Sequence, residues 1–283
     1  MAWILLIIFL GLMLLTLTPI FLLVALNDGA FSGSEVRIQL LAETQVSEYR
    51  RWLQFPGIFG AVLSQINGVG GICAIILAAG ALGSEYNWGT LRLQLSRQPR
   101  RELYLVVKIV AILLVLTIGM IFALVIGSLL GWLFGALLGD PGSIEARDLL
   151  LLPVSILRSL YVLLPYLLFT LACCTLGRSV LAGAGGGLIF LALDISLGGI
   201  SFFATTGGWL TFIYDLLLQQ NINTLILINS ASFGLEPSAI VQSINLSILP
   251  SPLHATLTIA FYCALFFISA HYWLVKRDVP GTV

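Results

Sequence analysis

Gly83-Ser-Glu-Tyr-Asn-Trp-Gly-Thr-Leu-Arg-Leu-Gln-Leu-Ser-Arg-Gln-Pro-Arg-Arg-Glu102 is a polar, basic island between two long apolar runs. Its ends read as those of a short helix. Ser84 stands as an N-cap with Glu85 in the first turn, where a carboxylate opposes the positive end of the helix dipole. Arg97 falls in the last turn before Pro99 stops propagation. The reading is a helix over 84–97 with Trp88, Leu91 and Leu95 on one apolar face and Arg92 and Arg97 elsewhere. Such a helix suits a membrane surface or a groove in a soluble partner.

The flanks decide what the island is attached to. With 59% hydrophobic and 9% charged residues over 283, the chain carries too little charge to cover a water-soluble domain. Net charge is zero and no basic tail points to nucleic acid. Apolar runs over 2–26, 57–82, 103–138, 149–175, 180–204 and 255–275 are each long enough to cross a hydrocarbon core of roughly 30 Å. The fold class is therefore an all-α integral membrane protein with six transmembrane helices. The first run lacks the charged start and cleavage site of a signal peptide and reads as a retained helix. Pro19 is expected to kink helix 1, and Pro153 and Pro165 to interrupt helix 4. Gly60, Gly68, Gly70, Gly71, Ala74, Ala78 and Ala79 give helix 2 the small residues that close packing uses.

Between the runs, 27–55 reads as a solvated loop with some helix. The longest connection, 205–254, holds apolar stretches at 209–218 and 224–228, too short to span and expected as short helices at or re-entering the surface. Orientation follows from the basic residues. Arg92, Arg97, Arg100, Arg101, Lys108, Arg178, Lys276 and Arg277 fall on one side, and Arg37, Arg50, Arg51 and Arg147 on the other. The positive-inside rule then places both termini and the island in the cytoplasm. Lys108, near the start of helix 3, is expected to snorkel to the interface.

Within that frame, Glu85, Gly89-Thr90-Leu91, Leu95, Arg101 and Lys108 resemble the first cytoplasmic loop of type 2 ABC exporter permeases, the transmembrane subunits of ABC transporters. That loop reads E-x3-G-T-L, a leucine pair, a Pro/Arg turn and a Lys opening the third helix. The short link between helices 4 and 5, the long outer connection and the ending Lys276-Arg277-Asp278-Val279 are similar as well. The resemblance implies that 84–97 is a coupling helix docked in a cleft of a separate ABC ATPase, which holds the ATP and Mg. Trp88, Leu91 and Leu95 would be its apolar anchors, Glu85 and Arg92 its polar contacts, and Gly89, Thr90 and Arg101 further motif positions. It also implies pairing with a second copy or a homologous permease, and a place in the bacterial cytoplasmic membrane. Two features depart from the pattern. The chain begins almost directly in the membrane where relatives carry an amphipathic elbow helix, and Pro99 stands two residues before Arg101 rather than three.

Other chemistries find little support. There is no G-x-x-x-x-G-K-[ST], and Gly183-Ala-Gly-Gly-Gly187 sits inside an apolar span, where helix packing explains it better than phosphate binding. His254 and His271 stand near opposite ends of helix 6 without a zinc-protease motif. Cys73, Cys173, Cys174 and Cys263 lie in apolar spans and read as small hydrophobes. Arg158 in helix 4 and Asp194 in helix 5 lie at depths about three residues apart, or roughly 4 to 5 Å. An intramembrane ion pair between them is expected; lining of a substrate path is the alternative. An ATP-independent secondary transporter or channel, or a non-transporting scaffold subunit, is the rival in another class. The first would call for several midplane acids, and here Asp194 stands out alone.

Overall fold

A computed structural model of the chain describes residues 2–28, 42–90, 101–198, 208–235 and 249–276. The described residues are helical and contain no strand; Phe55 and Gly142 form an isolated bridge. Among the described residues six helices are long and apolar enough to cross a membrane. They are α1 (Ala2–Asn27), α3 (Gly57–Asn87), α4 (Arg101–Leu137), α5 (Ala146–Gly177), α6 (Val180–Gly198) and α9 (Pro252–Lys276). Three others among the described residues are too short to span: α2 (Glu43–Leu53), α7 (Trp209–Leu216) and α8 (Leu218–Ser232). At 1.5 Å per residue the 37 residues of α4 reach about 55 Å, so α4 tilts or projects beyond the hydrocarbon.

Pro153 and Pro165 do not interrupt α5, which runs unbroken for 32 residues. Each proline removes one backbone donor, a loss that packing against neighbouring helices absorbs inside a membrane protein. At its far end, Ser179 caps α6, its Oγ accepting from the Ala182 N–H at 3.0 Å. Arg178, at φ 52°, turns the chain between the two helices.

The chain folds as two compact units. One comprises 1–68, 118–159 and 226–246. Here the close approach is carried by glycines of α4. A Cβ on Gly127 would come within 2.3 Å of Val62, and one on Gly131 within 2.7 Å of Ile58. Phe21 stacks on Phe134 with centroids 4.5 Å apart. The α2–α3 link is tied to the α4–α5 turn, because the Phe55 N–H donates to Pro141 O at 3.1 Å and Gln54 Nε2 to Asp140 O at 2.9 Å.

The other unit comprises 69–117, 160–225 and 247–283. Its glycine run packs α6 on its neighbours: a Cβ on Gly183 would meet Cys174 Sγ at 2.0 Å, and one on Gly187 would meet Thr170 Oγ1 at 2.4 Å. Phe169, Phe190 and Phe266 form an aromatic cluster with centroids 4.3 to 5.5 Å apart. Polar backbone atoms at the end of α7 are held by α9, where Tyr262 Oη donates to Leu216 O at 3.2 Å and His254 Nε2 lies 3.1 Å from Asp215 O.

Candidate coupling site at the end of α3

The last turns of α3 depart from a plain α-helix. Ala79–Gly83 forms a π turn, a widening often found where a helix carries function. Gly83 is required there, since a Cβ would lie 2.6 Å from the Val180 backbone. The helix then continues through Ser84–Asn87. Ser84 is helical, at φ −65° and ψ −32°, and its Oγ donates back to Gly80 O at 2.5 Å. It is an interior residue of α3 and not the N-cap that the sequence suggested. A serine followed by an acid marks a helix start only when the preceding residues are not helical, and here they are.

The helix stops at Asn87. The Trp88 N–H donates to Ser84 O at 2.9 Å, and the Gly89 N–H to Tyr86 O at 3.4 Å. Gly89 has φ +69°, a left-handed conformation that glycine adopts without a Cβ penalty. The E-x3-G spacing thus has a local cause. Glu85 lies in the final turn of the membrane helix, and Gly89 redirects the chain out of it.

Glu85 is buried at 8% exposure, and its carboxylate accepts from Tyr104 Oη and Lys108 Nζ, both on α4. Lys108 Nζ also lies 3.4 Å from Ala81 O and 5.8 Å from the Tyr104 ring centroid. Leu82 and Leu105, both at 0% exposure, stand in the same stretches of α3 and α4. Charge-assisted hydrogen bonds in such a setting are strong because water competes poorly for them. Lys108 therefore does not snorkel freely; it ties the end of α3 to α4. Glu85 is likewise satisfied within the chain. Tyr104 escaped the sequence reading. Its signal was present: Tyr104 and Lys108 are four apart on one helix face, near a lone acid of the preceding helix.

Past this lock the surface opens. Trp88 is 79% exposed, and Asn87, Gly89 and Thr90 are exposed beside it. Leu91, Arg92 and Leu95 lie outside the described residues, and Arg101 opens α4. The structure therefore gathers Glu85, Tyr104 and Lys108 into one cluster and presents Trp88 outward from it.

The intramembrane pair expected between Arg158 and Asp194 is replaced by other partners. Asp194 accepts from Tyr166 Oη at 2.7 Å and from the Gln219 N–H at 3.0 Å. Gln219 is the second residue of α8, so the carboxylate sits at a helix N-terminus, where unpaired N–H groups and the dipole offset its charge. Arg158 Nη1 donates to Asn229 Oδ1 at 2.6 Å, and Asn229 Nδ2 donates to Ser155 O and Ser159 Oγ at 3.1 and 3.2 Å. Gln219 and Asn229 both come from α8, where the sequence suggested a short helix only around 224–228.

Among the described residues no group of three or more His, Cys, Asp or Glu is placed to hold a metal ion. The cysteines at 73, 173, 174 and 263 are free thiols. What the described helices do carry is the length and apolarity to span a membrane.

Comparison with known families is informative on that point. The model of the ABC-2 family transporter proteins matches residues 1–230. No curated protein and no solved structure matches the chain. Members of that family are membrane subunits that generally work with an ABC ATPase and are not themselves catalytic. The family match covers most of the chain and agrees with the six apolar helices and with the E-x3-G-T-L loop, and by it this integral membrane protein belongs to the ABC-2 family transporter proteins as the permease of an ABC-type transporter.

Proposed function

We propose that this permease serves an exporter whose ATP and Mg are held by a separate ABC ATPase, which docks from the cytoplasm onto the segment beginning at Trp88. The observation that carries the proposal is the exposed indole of Trp88, three residues from a carboxylate locked to α4. An exposed tryptophan next to a rigid root is what a docking surface requires. Apolar area is available for burial, and a push on it moves two helices rather than one loop. Closure of an ATPase dimer would then tilt α3 and α4 together and alternate access to a path formed with a second copy or a homologous permease. Leu91 and Leu95 would extend the apolar face, with Arg92 making polar contacts and Gly89, Thr90 and Arg101 shaping the loop. A bacterial cytoplasmic membrane is the proposed location.

An ion-coupled secondary transporter would rest on Asp194. That carboxylate is engaged by Tyr166 and the start of α8, which favours the ATP-driven reading. The test is co-purification of the full chain with the ATPase encoded beside it. The native chain is expected to retain the ATPase, and the double variant Trp88→Ala, Leu91→Ala to lose at least about tenfold in affinity while remaining in the membrane fraction. Equal retention by both would remove Trp88 from the interface, and no retention by either would remove the ATPase from the mechanism.

A further inference from the structure

Arg158 occupies an unusual place for a cation. Taking 1.5 Å per residue, it lies about 18 Å from the start of α5 and about 28 Å from its end, inside a helix that spans the membrane. Leu150, Val154 and Leu157, exposed at 77, 51 and 68%, form an outward apolar stripe at four- and three-residue spacing. Arg158 follows Leu157 directly, half-buried at the edge of that stripe.

The guanidinium carries five N–H donors. One is taken by Asn229 Oδ1, a neutral amide that is itself fixed by Ser155 and Ser159. Among the described residues no carboxylate forms an ion pair with Arg158, and its other N–H groups have no partner. A charge of this kind inside the apolar band is costly unless an anion meets it. Helical side chains lean toward the helix N-terminus, which is also the nearer end of α5, so the guanidinium reaches toward that membrane surface.

We infer that Arg158 binds the phosphate of a bilayer phospholipid, drawn in from the nearer membrane surface beside Val154 and Leu157. The planar guanidinium fork matches a phosphate bidentately, and Asn229 holds the fork in position. The exposed apolar neighbours suit acyl chains and not a hydrated free ion. Arg158 thereby becomes a fixed lipid site on the outside of α5, whether or not an ATPase docks at Trp88.

Native mass spectrometry of the full chain, released from detergent, tests this. Lipid retained from the membrane is identified first. Phosphatidylglycerol and a diacylglycerol with the same chains are then titrated onto delipidated protein. The native chain should retain a phospholipid and bind phosphatidylglycerol at least about tenfold more tightly than diacylglycerol, a comparison that needs no variant. Arg158→Gln should abolish that preference, and Arg158→Lys, which keeps the charge and loses the fork, should fall between. Equal binding of the two lipids by the native chain, an unchanged preference in a folded Arg158→Gln chain, or retention of a species without phosphate would each overturn the inference. An arginine covered by a second copy of the chain would give the first of these results.

Discussion

Replacing Glu85 with alanine should lower the stability of the chain by about 3 kcal/mol, because it leaves the Lys108 ammonium without a counter-charge in a site where its side chain is 23% exposed. Tyr104 Oη loses its acceptor in the same step. The readout is the thermal unfolding midpoint of the purified protein. A double replacement, Glu85→Met with Lys108→Met, should recover most of the loss, since removing both charges leaves no uncompensated group. Recovery of stability without recovery of transport would show that the pair does more than hold the fold. It would be the signature of a lock that transmits movement from Trp88 into α3 and α4. If Glu85→Ala unfolds at the native temperature, the pair contributes nothing and the rigid root under Trp88 is lost with it.

Asp194→Ala should have an effect of similar size, about 3 kcal/mol, for a different reason. Two charge-assisted hydrogen bonds disappear, one from Tyr166 and one from the Gln219 N–H at the start of α8. The orphaned N–H is the more serious, because a helix N-terminus inside protein has no water to turn to. Asp194→Asn keeps an acceptor oxygen for one of these donors and should cost less, and Tyr166→Phe, which removes a single hydroxyl, less again. Thermal unfolding of the three variants in the same detergent gives the order. Should Asp194→Asn abolish transport while leaving stability and assembly unchanged, Asp194 would act on the transported molecule and not on α8.

These two clusters also show where the sequence could be read and where it could not. The spans were legible because a hydrocarbon core demands about 20 consecutive apolar residues, and such runs have no other common explanation. The fourth run, read as 149–175, is a helix over Ala146–Gly177, the difference lying in polar end residues that hydropathy does not count. The island at 83–102 was legible as a family motif but not as geometry. Ser84-Glu85 looks like a helix start whether or not the helix has already begun. Gly89 was the better boundary signal, since its left-handed φ ends α3 and frees Trp88.

Helix α8 was legible only in part: the apolar stretch at 224–228 was expected as a short helix, whereas the helix runs over Leu218–Ser232. Gln220, Asn221, Thr224, Asn229 and Ser230 are buried, and a buried polar helix has the composition of a solvated loop. What distinguishes them is the hydrogen-bond partner, which composition does not carry. Thr224 Oγ1 reaches Pro250 O at 3.2 Å and Asn221 Nδ2 reaches Asp215 O at 2.8 Å, partners that only the folded chain brings within reach. The same blindness produced the expected Arg158–Asp194 pair. Opposite charges at similar depth suggest each other, whereas a neutral amide and a helix terminus advertise no charge at all.

Of all the available measurements, photo-crosslinking from position 88 bears most directly on how this permease is driven. A photoreactive phenylalanine analogue in place of Trp88, in the full chain in its own membrane, should form an adduct with an ABC ATPase subunit. The same probe at Leu150, equally exposed but on the apolar face of α5, should react with lipid alone. An ATPase adduct at 88 and none at 150 is the expected result. Absence of any ATPase adduct at 88, with lipid adducts at both positions, would contradict it and would make the exposed indole a membrane-surface anchor.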